Sequence, residues 1–302
     1  MKNVIEDIEK DNNDYSSYID KLVKELRDDQ EVYEIIKPLG LNMKQVKDNI
    51  AKLTEFKNDY NYCKQCPGLD YCKKDNPRTS INIIKDGNYL NLNYSPCKKE
   101  IEKTKIDDSY VCFDFPEEWK KIGIKDLDLD TNKNRRLIIK QFLDIVKKTS
   151  NKWFYIMGNK KVGKSYILVA LANEFVRYNL GRVAVVNYPK LSSFLADISY
   201  SNKDRFNTYM NLLKNVPLLI IDDFGDEYKN EYVRDNITIP LLNDRASNNK
   251  LTFFSSEFSI KDVSILNSIG KYSGPIRGKQ LQNTLNSMCD KEIDLTGTVI
   301  YS

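Results

Sequence analysis

Residues 158–165 read Gly-Asn-Lys-Lys-Val-Gly-Lys-Ser, which is a complete G-x4-G-K-S pattern. An apolar run at 153–157 precedes the pattern, and a segment of helical periodicity follows it. Because the chemistry of this pattern needs a strand before it and a helix after it, the placement predicts a phosphate-binding loop. The glycines would let backbone N–H groups turn towards phosphate oxygens, and the helix N-terminus would add a favourable field for the anion.

Two side chains of this loop are expected to carry the chemistry of a bound ATP. Lys164 would reach the β- and γ-phosphates, and the Ser165 hydroxyl would bind Mg²⁺. The loop residues predicted to bind the nucleotide are Gly158, Asn159, Lys160, Lys161, Val162, Gly163, Lys164 and Ser165.

A second apolar run, at 218–221, ends in two carboxylates, Asp222 and Asp223. A strand this apolar should be buried on both faces, so its acids should emerge at the carboxyl edge of a parallel sheet, where ligands bind. Asp222 is predicted to hold Mg²⁺, directly or through water, and Asp223 to position or deprotonate the attacking water. Alone, such a pair would indicate a helix cap, but beside a phosphate loop it favours catalysis.

Two further positions complete the predicted site. Residues 251–255 form a third apolar run, and Ser256 follows at the point where a side chain that senses the γ-phosphate would lie. Arg277 is predicted to lie on a loop, from which it would reach a neighbouring subunit's nucleotide as an arginine finger. An exposed solubilising charge is the alternative interpretation of Arg277.

The order of the predicted elements indicates the fold class. From residue 136 onward predicted helices and strands alternate, which is typical of an α/β fold with a parallel sheet. We predict three parts: a small helical and zinc-binding domain at 1–105, a linker at 106–135, and a P-loop NTPase domain at 136–302.

The first sixty residues predict two amphipathic helices. One has apolar residues at 19, 22, 23 and 26, with Ser16 and Ser17 as candidate caps, and the second is opened by Asn42. The segment carries 10 basic and 14 acidic side chains. Two interpretations remain open: solvated helices that pack on each other, or a docking surface for a partner that covers the apolar stripes.

The chain contains no histidine, which excludes Ser-His-Asp triads, H-E-x-x-H proteases and histidine-bound zinc. Cys63 and Cys66 form a C-x2-C pair, and Cys72 and Cys97 follow in the same polar stretch. These four thiolates are predicted to form a closed structural Zn²⁺ site. Ordinary buried thiols, or a carboxylate or water in place of Cys72, are the alternatives.

The sequence lacks the features of a membrane or exported protein. No apolar run approaches the roughly 18 residues of a transmembrane helix, and the first residues turn acidic at once. We therefore expect a cytoplasmic protein without a membrane partner, in which disulfides are not expected.

On these motifs the chain resembles the bacterial replicative-helicase loaders of the DnaI/DnaC type, which are AAA+ ATPases, and it is closer to the DnaI branch. Tyr166, which ends the phosphate-loop motif, is included in the nucleotide-binding set. The resemblance rests on Cys63, Cys66 and Cys97, on residues 115–119, on 155–158 leading into 163–166, and on 219–225.

The resemblance implies a function in primosome assembly. The N-terminal domain would bind the hexameric replicative helicase, and the AAA+ domain would bind single-stranded DNA and self-associate while it helps place that helicase on DNA. Initiator or primosomal proteins would be further partners. Lys203, Arg205 and the cluster of Lys271, Arg277 and Lys279 are candidate DNA contacts, with a solvated surface as the alternative.

Three departures from the family pattern bear on activity. Glu257 stands where the family's sensor strand carries asparagine, and residues 280–289, where a sensor arginine is usual, contain no arginine or lysine. Because no histidine exists, Cys72 must complete the zinc site or the site differs. The first two departures predict slow hydrolysis, with ATP acting mainly as a conformational switch.

Two alternative functions remain. One is a non-hydrolysing adaptor, switched by nucleotide, between the helicase and DNA or an initiator. The other is the ATPase helper of a transposase, which shares the same core. The N-terminal helices and cysteines argue against the transposase helper, because such helpers usually lack that domain.

Overall fold

The computed structural model describes residues 2–87, 89–130 and 132–297, and for residues 2–14 it describes the backbone alone. The chain divides into two compact units, residues 1–104 and 105–302. Each unit has a hydrophobic core of its own.

The first unit combines four helices with an antiparallel β-hairpin. Its elements are α1 (Lys2–Asp28), α2 (Gln30–Ile36), a 3-10 helix (Lys37–Leu39), α3 (Met43–Asp48), α4 (Ile50–Lys64), a 3-10 helix (Leu69–Tyr71), β1 (Thr79–Asp86) and β2 (Tyr89–Pro96). A further helix, α5 (Lys98–Ser109), begins in this unit and ends in the second. In the described part of the chain, no helix is both long and apolar enough to cross a membrane.

Local capping explains where the short helices of this unit begin. Asn42 starts α3 as predicted, because its side-chain oxygen accepts a hydrogen bond from the Gln45 N–H at 2.9 Å, and the Gln45 side-chain oxygen accepts one from the Asn42 N–H at 3.0 Å. The prediction that Ser16 and Ser17 cap a helix is wrong, since both lie inside α1, which runs without a break to Asp28.

The β-hairpin of the first unit was not predicted. Ile81 and Leu90 face the core with their alternate neighbours, and the Asp59 carboxylate on α4 accepts the Ile81 N–H at 3.1 Å. The sequence signal for the hairpin is Gly87-Asn88, because Asp86 pairs with Tyr89 and a Gly-Asn pair between two alternating runs is typical of a two-residue hairpin turn. Gly87 adopts the left-handed backbone, with φ 57°, that such a turn requires.

The second unit is built on a six-stranded, fully parallel sheet with the order β3-β5-β6-β7-β4-β8. The predicted α/β fold with a parallel sheet is therefore confirmed. The strands are β3 (Tyr110–Phe113), β4 (Trp153–Met157), β5 (Val183–Asn187), β6 (Leu218–Asp222), β7 (Leu251–Ser256) and β8 (Cys289–Asp294).

Helices cover both faces of this sheet, which is why its central strands are buried and mostly apolar. α6 and α7 pack on one face, and α8, α9, α11 and α13 pack on the other. The helices are α6 (Lys133–Val146), α7 (Lys164–Arg177), α8 (Tyr188–Ser201), α9 (Lys203–Asn215), α10 (Glu231–Val233), a π-helical turn (Arg234–Thr238), α11 (Ile239–Ser247), α12 (Ile260–Leu266) and α13 (Gly274–Met288).

The structure places the predicted linker at 106–135 inside the second unit. Its first part forms β3, which pairs with β5, and two 3-10 helices follow at Glu117–Lys121 and Ile124–Asp126. Trp119 stacks on Phe115 at a ring separation of 5.2 Å and meets the ring of Tyr166 on α7 edge-on at 5.4 Å. Aromatic packing thus holds this segment against the core.

The C-terminal part differs from the prediction at two places. Arg277 does not lie on a loop, because residues from Gly274 onward form α13, with Pro275 in the first turn, where a missing N–H costs nothing. The polar segment Cys289–Asp294 was not predicted as a strand, yet it pairs with β4 as the edge strand β8.

Candidate nucleotide-binding site

The strand order brings the predicted site residues to one edge of the sheet. β7 lies between β4, which leads into the phosphate loop, and β6, which ends in Asp222. Because all strands are parallel, their carboxyl ends meet at the same edge, where ligands bind in open α/β sheets. The loop, the two acids and the polar end of β7 therefore surround one site.

Two glycines shape the phosphate loop. Gly158 has φ 151° and Gly163 has φ 85°, both in the range that residues with a Cβ atom rarely adopt. A Cβ atom on Gly158 would lie only 3.0 Å from the backbone of Leu295 and Thr296, directly after β8. The Gly158 N–H also donates to the Ser256 carbonyl at 3.1 Å, so the loop is fixed on two sides.

Lys164 is the first residue of α7, and its side chain turns back into the phosphate loop. Its ammonium group donates to the carbonyls of Gly158 at 2.7 Å and Asn159 at 2.9 Å, and the residue is only 6% exposed. Burial lowers the pKa of Lys164, and the charges of nearby carboxylates oppose that shift. The cation is thus already positioned in the loop that would receive phosphate oxygens.

Ser165 and Asp222 are the residues predicted to hold Mg²⁺. The Asp222 carboxylate is 3% exposed and accepts the Ser255 hydroxyl at 2.5 Å, and the Ser165 hydroxyl is near enough to lower the pKa of Asp222. Burial and the neighbouring charge of Asp223 raise the pKa of Asp222 to about 6, against the effect of both hydroxyls. A hydroxyl and a carboxylate are hard oxygen donors, so these neighbouring residues fit Mg²⁺.

Asp223 is held by two residues that sequence reasoning missed. Its backbone is left-handed, with φ 55°, and its N–H donates to the Ser255 hydroxyl at 3.0 Å. The Asn187 amide, at the end of β5, donates to the Asp223 carboxylate at 3.0 Å. Both Asn187 and Ser255 are polar residues at the carboxyl ends of apolar strands, which is the signal that would have found them.

Ser256 and Glu257, the two candidate sensor residues at the end of β7, differ in what their side chains contact. Ser256 is fully buried, and its hydroxyl donates to the Phe224 carbonyl at 2.6 Å and accepts the Phe258 N–H at 3.0 Å. Glu257, one residue later, forms an ion pair with Lys160 of the phosphate loop, with Nζ and Oε1 3.3 Å apart. The acid, rather than the serine hydroxyl, therefore contacts the loop.

Arg135 supports the loop from behind and was also missed. It is buried, and its guanidinium donates to the Val162 carbonyl in the loop at 2.7 Å and to the Asp128 carbonyl at 2.6 Å. No motif in the sequence marks this role, because both acceptors are backbone atoms that only the fold brings together.

Tyr166 and Arg277 are the remaining residues that the sequence assigned to the site. Tyr166 is half-buried on α7, where its ring meets Trp119. The Arg277 side chain is 45% exposed, and its contacts are with Gln280 at 3.0 Å and with Asp235 at 3.6 Å. The contacts of Arg277 are therefore with α13 itself and the π-helical turn.

The predicted four-thiolate zinc site is not supported. Within the ranges that the structure describes, no three His, Cys, Asp or Glu side chains are grouped closely enough to hold a metal ion. The Cys63 thiol instead lies 3.4 Å from the Lys74 ammonium, which forms an ion pair with Asp59. A lysine cation thus lies beside one of the four predicted zinc ligands, and the described residues give no support for Zn²⁺.

The raised pKa of Asp222 predicts a pH dependence of magnesium binding. A proton and Mg²⁺ compete for this carboxylate, so the affinity for Mg²⁺·ATP should fall about tenfold per pH unit below about pH 6. The pKa of Asp222 is about 6 in the folded protein and near 3.8 in the unfolded chain, so the folded protein binds the proton more tightly. The unliganded protein should therefore become more stable as the pH falls through this range.

Titration of ATP binding between about pH 5 and 8, with Mg²⁺ and with EDTA, would check this expectation. With EDTA the affinity should not change at pH 6. A transition of equal size under both conditions would contradict the assignment of the effect to Asp222.

The chain is similar in sequence to a known helicase loader. No protein-family model matches the chain. The chain is 24% identical over 262 residues to the replicative helicase loader DnaI of Bacillus subtilis (strain 168), which covers 82% of this chain and 81% of that protein. The resemblance to the DnaI branch is confirmed in this sense.

Solved structures agree with the sequence comparison. A crystal structure of DnaI superposes with a TM-score of 0.54 at 25% identity, over 62% of this chain and 97% of that one. A protein from Streptococcus pyogenes serotype M3, assigned as a primosome component, gives 0.52 at 25% identity, over 66% and 98%. The second unit thus has the AAA+ P-loop fold that the sequence predicted.

Proposed function

We propose that this chain is an ATP-dependent helicase loader of the DnaI type, which helps place the replicative DNA helicase on DNA during primosome assembly. The similarity to the Bacillus subtilis loader covers 82% of the chain, whereas the nucleotide-binding unit makes up about two thirds of it. The similarity therefore includes part of the first unit, and this extent is the observation that carries the proposal.

The proposed reaction is transfer of the γ-phosphoryl group of ATP to water, which yields ADP and phosphate. Ser165 and Asp222 would hold Mg²⁺, which would supply positive charge to the phosphates of the nucleotide. Lys164 would bind the same oxygens from within the loop, and Asp223 would accept the proton of the attacking water. Asn187 would keep the Asp223 carboxylate in place.

Three observations support slow hydrolysis. Glu257 places a negative charge beside the loop, α13 offers no cation from 280 onward, and the Asn187 amide occupies one oxygen of the proposed base. ATP binding would then act chiefly as a switch between conformations.

The first unit is proposed to bind the hexameric helicase. Its helices α1, α2 and α3 border an apolar groove of about 540 Å³. An apolar groove on a surface of small helices is suited to a helical partner. The apolar side chains along the groove are Val23, Leu26, Tyr33, Ile36, Leu41, Met43, Val46 and Leu53.

The second unit is proposed to contact single-stranded DNA and to self-associate. On α8 and α9 the exposed Arg205 guanidinium lies 5.2 Å from the ring centre of Phe194 and 5.7 Å from that of Tyr209. Cations next to aromatic rings are typical of surfaces that bind single strands. Lys203 and the cluster of Lys271, Arg277 and Lys279 would add phosphate contacts, and Arg277 would act across a subunit boundary.

A loading assay with the full chain tests the proposed function. The replicative helicase of the same organism is mixed with closed circular single-stranded DNA, and the helicase bound to the circle is measured after gel filtration. We expect ATP and this protein together to raise loading at least about tenfold, and Lys164→Met to remove the increase because it removes the phosphate contact. Equal loading without the protein would overturn the proposal.

A non-hydrolysing adaptor is the second candidate, and the Glu257–Lys160 ion pair favours it. Asp223→Asn separates the two functions: loading that continues unchanged without hydrolysis would support the adaptor. The transposase helper is less well supported, because the similarity to the loader extends into the first unit.

A further inference from the structure

An ion pair lies across the phosphate loop. Lys160, the third residue of the loop, is 75% exposed along its side chain, and its ammonium lies 3.3 Å from the Glu257 carboxylate, which is 29% exposed. The ion pair raises the pKa of Lys160, so the cation is stabilised in this position. The charge of Lys160, which would otherwise be available to a phosphate, is thus already paired with the Glu257 carboxylate.

Glu257 also acts on the buried lysine of the loop. Among the charges that oppose the lowering of the Lys164 pKa by burial, that of Glu257 is the largest and exceeds those of Asp223 and Asp222. Its carboxylate is therefore paired with Lys160 and also acts electrostatically on Lys164, two of the three lysines of the loop.

The backbone leaves Glu257 little freedom to withdraw. Ser256, immediately before it, is tied to the Phe224 carbonyl and the Phe258 N–H through its hydroxyl. The Ser256 carbonyl also accepts the Gly158 N–H from the loop itself. A bound nucleotide can displace the Glu257 side chain, but its backbone stays beside the loop.

We propose that Glu257 is a specificity-determining residue, which makes this site bind ADP more tightly than ATP. The inference rests on the proposed nucleotide site. A terminal phosphate that reaches Lys160 must break the ion pair and then lie close to a carboxylate of like charge. ADP lacks that phosphate, so it binds without this cost. Coulombic repulsion over a few ångströms near a protein surface is large enough to change affinity by about tenfold or more.

The test measures the dissociation constants of ADP and of a slowly hydrolysed ATP analogue by calorimetry in Mg²⁺. Wild type should bind ADP more tightly. In Glu257→Gln the preference for ADP should fall by about tenfold, because the amide keeps the shape but not the charge. Glu257→Asp should keep the preference within about threefold. The control is Asp290→Asn, which removes one exposed charge at the amino end of β8, on the opposite edge of the sheet.

Each outcome decides one point. An unchanged ratio in Glu257→Gln, with unfolding temperature as in wild type, would overturn the proposal, and so would tighter binding of the ATP analogue by wild type. If wild type binds neither nucleotide, the proposed ATPase function itself is wrong. A loss of discrimination in Asp290→Asn as large as in Glu257→Gln would assign the effect to net charge and overturn the role of Glu257.

Discussion

Asp223→Asn is expected to lower kcat for ATP hydrolysis by about 10²- to 10⁴-fold and to change ATP affinity by less than about threefold. The substitution removes the proposed base but keeps the shape of the side chain. An asparagine oxygen can still accept the Asn187 amide, and the backbone N–H can still donate to Ser255. The variant should therefore keep the hydrogen bonds of the site and the binding of ATP but lose the base needed for hydrolysis.

A second readout distinguishes a base from a merely structural residue. The charge of Asp223 contributes to the raised pKa of Asp222, so Asp223→Asn should move the pH transition of Mg²⁺ binding downward. Asp226→Asn is the matched control, since Asp226 lies in the same acidic surroundings but follows β6 at a greater distance along the chain. Loss of ATP binding in Asp223→Asn would instead assign this residue to the metal, and unchanged kcat would exclude it as the base.

Arg245→Met is expected to lower the free energy of unfolding of the second unit by about 3–5 kcal/mol. The Arg245 side chain is fully buried and donates to the Thr252 hydroxyl at 2.9 Å and to the carbonyls of Leu213 at 2.6 Å and Val216 at 2.9 Å. Methionine would fill the space but leave these acceptors unpaired, at about 1–3 kcal/mol for each buried group.

Thermal unfolding of the full chain checks this expectation. The transition of the second unit should fall by about 10 °C, as a loss of this size implies for a domain near 200 residues. Arg182→Met is the matched control, because Arg182 is exposed and its substitution should change the midpoint by no more than about 2 °C. A similar midpoint in both variants would show that the carbonyls around Arg245 find other partners.

The predictable part of this protein follows from strong local constraints. The phosphate loop needs glycines at fixed places between a strand and a helix. The apolar runs of β4 and β6 suit strands that are buried on both faces of a sheet. The helical start at Asn42 was predictable for the same reason, since its capping box is contained within four residues.

The missed elements depend on contacts between distant parts of the chain. β8 carries four charged residues in six, and nothing local makes it a strand; it becomes one by pairing with β4. Arg135 acts through two backbone carbonyls, which no sequence pattern marks. Strand β7 shows a third reason, because a shift of one residue decides which of Ser256 and Glu257 reaches the loop.

The placement of β3 decides how this chain can be divided. A fragment that begins at residue 136 would remove β3 and Arg135 together, which leaves β5 as an unpaired sheet edge and the Val162 carbonyl without its donor. Open edges recruit strands from other molecules, so such a fragment should aggregate, whereas one that begins at residue 105 keeps the edge covered. A fragment that keeps the nucleotide-binding unit intact must therefore begin before β3.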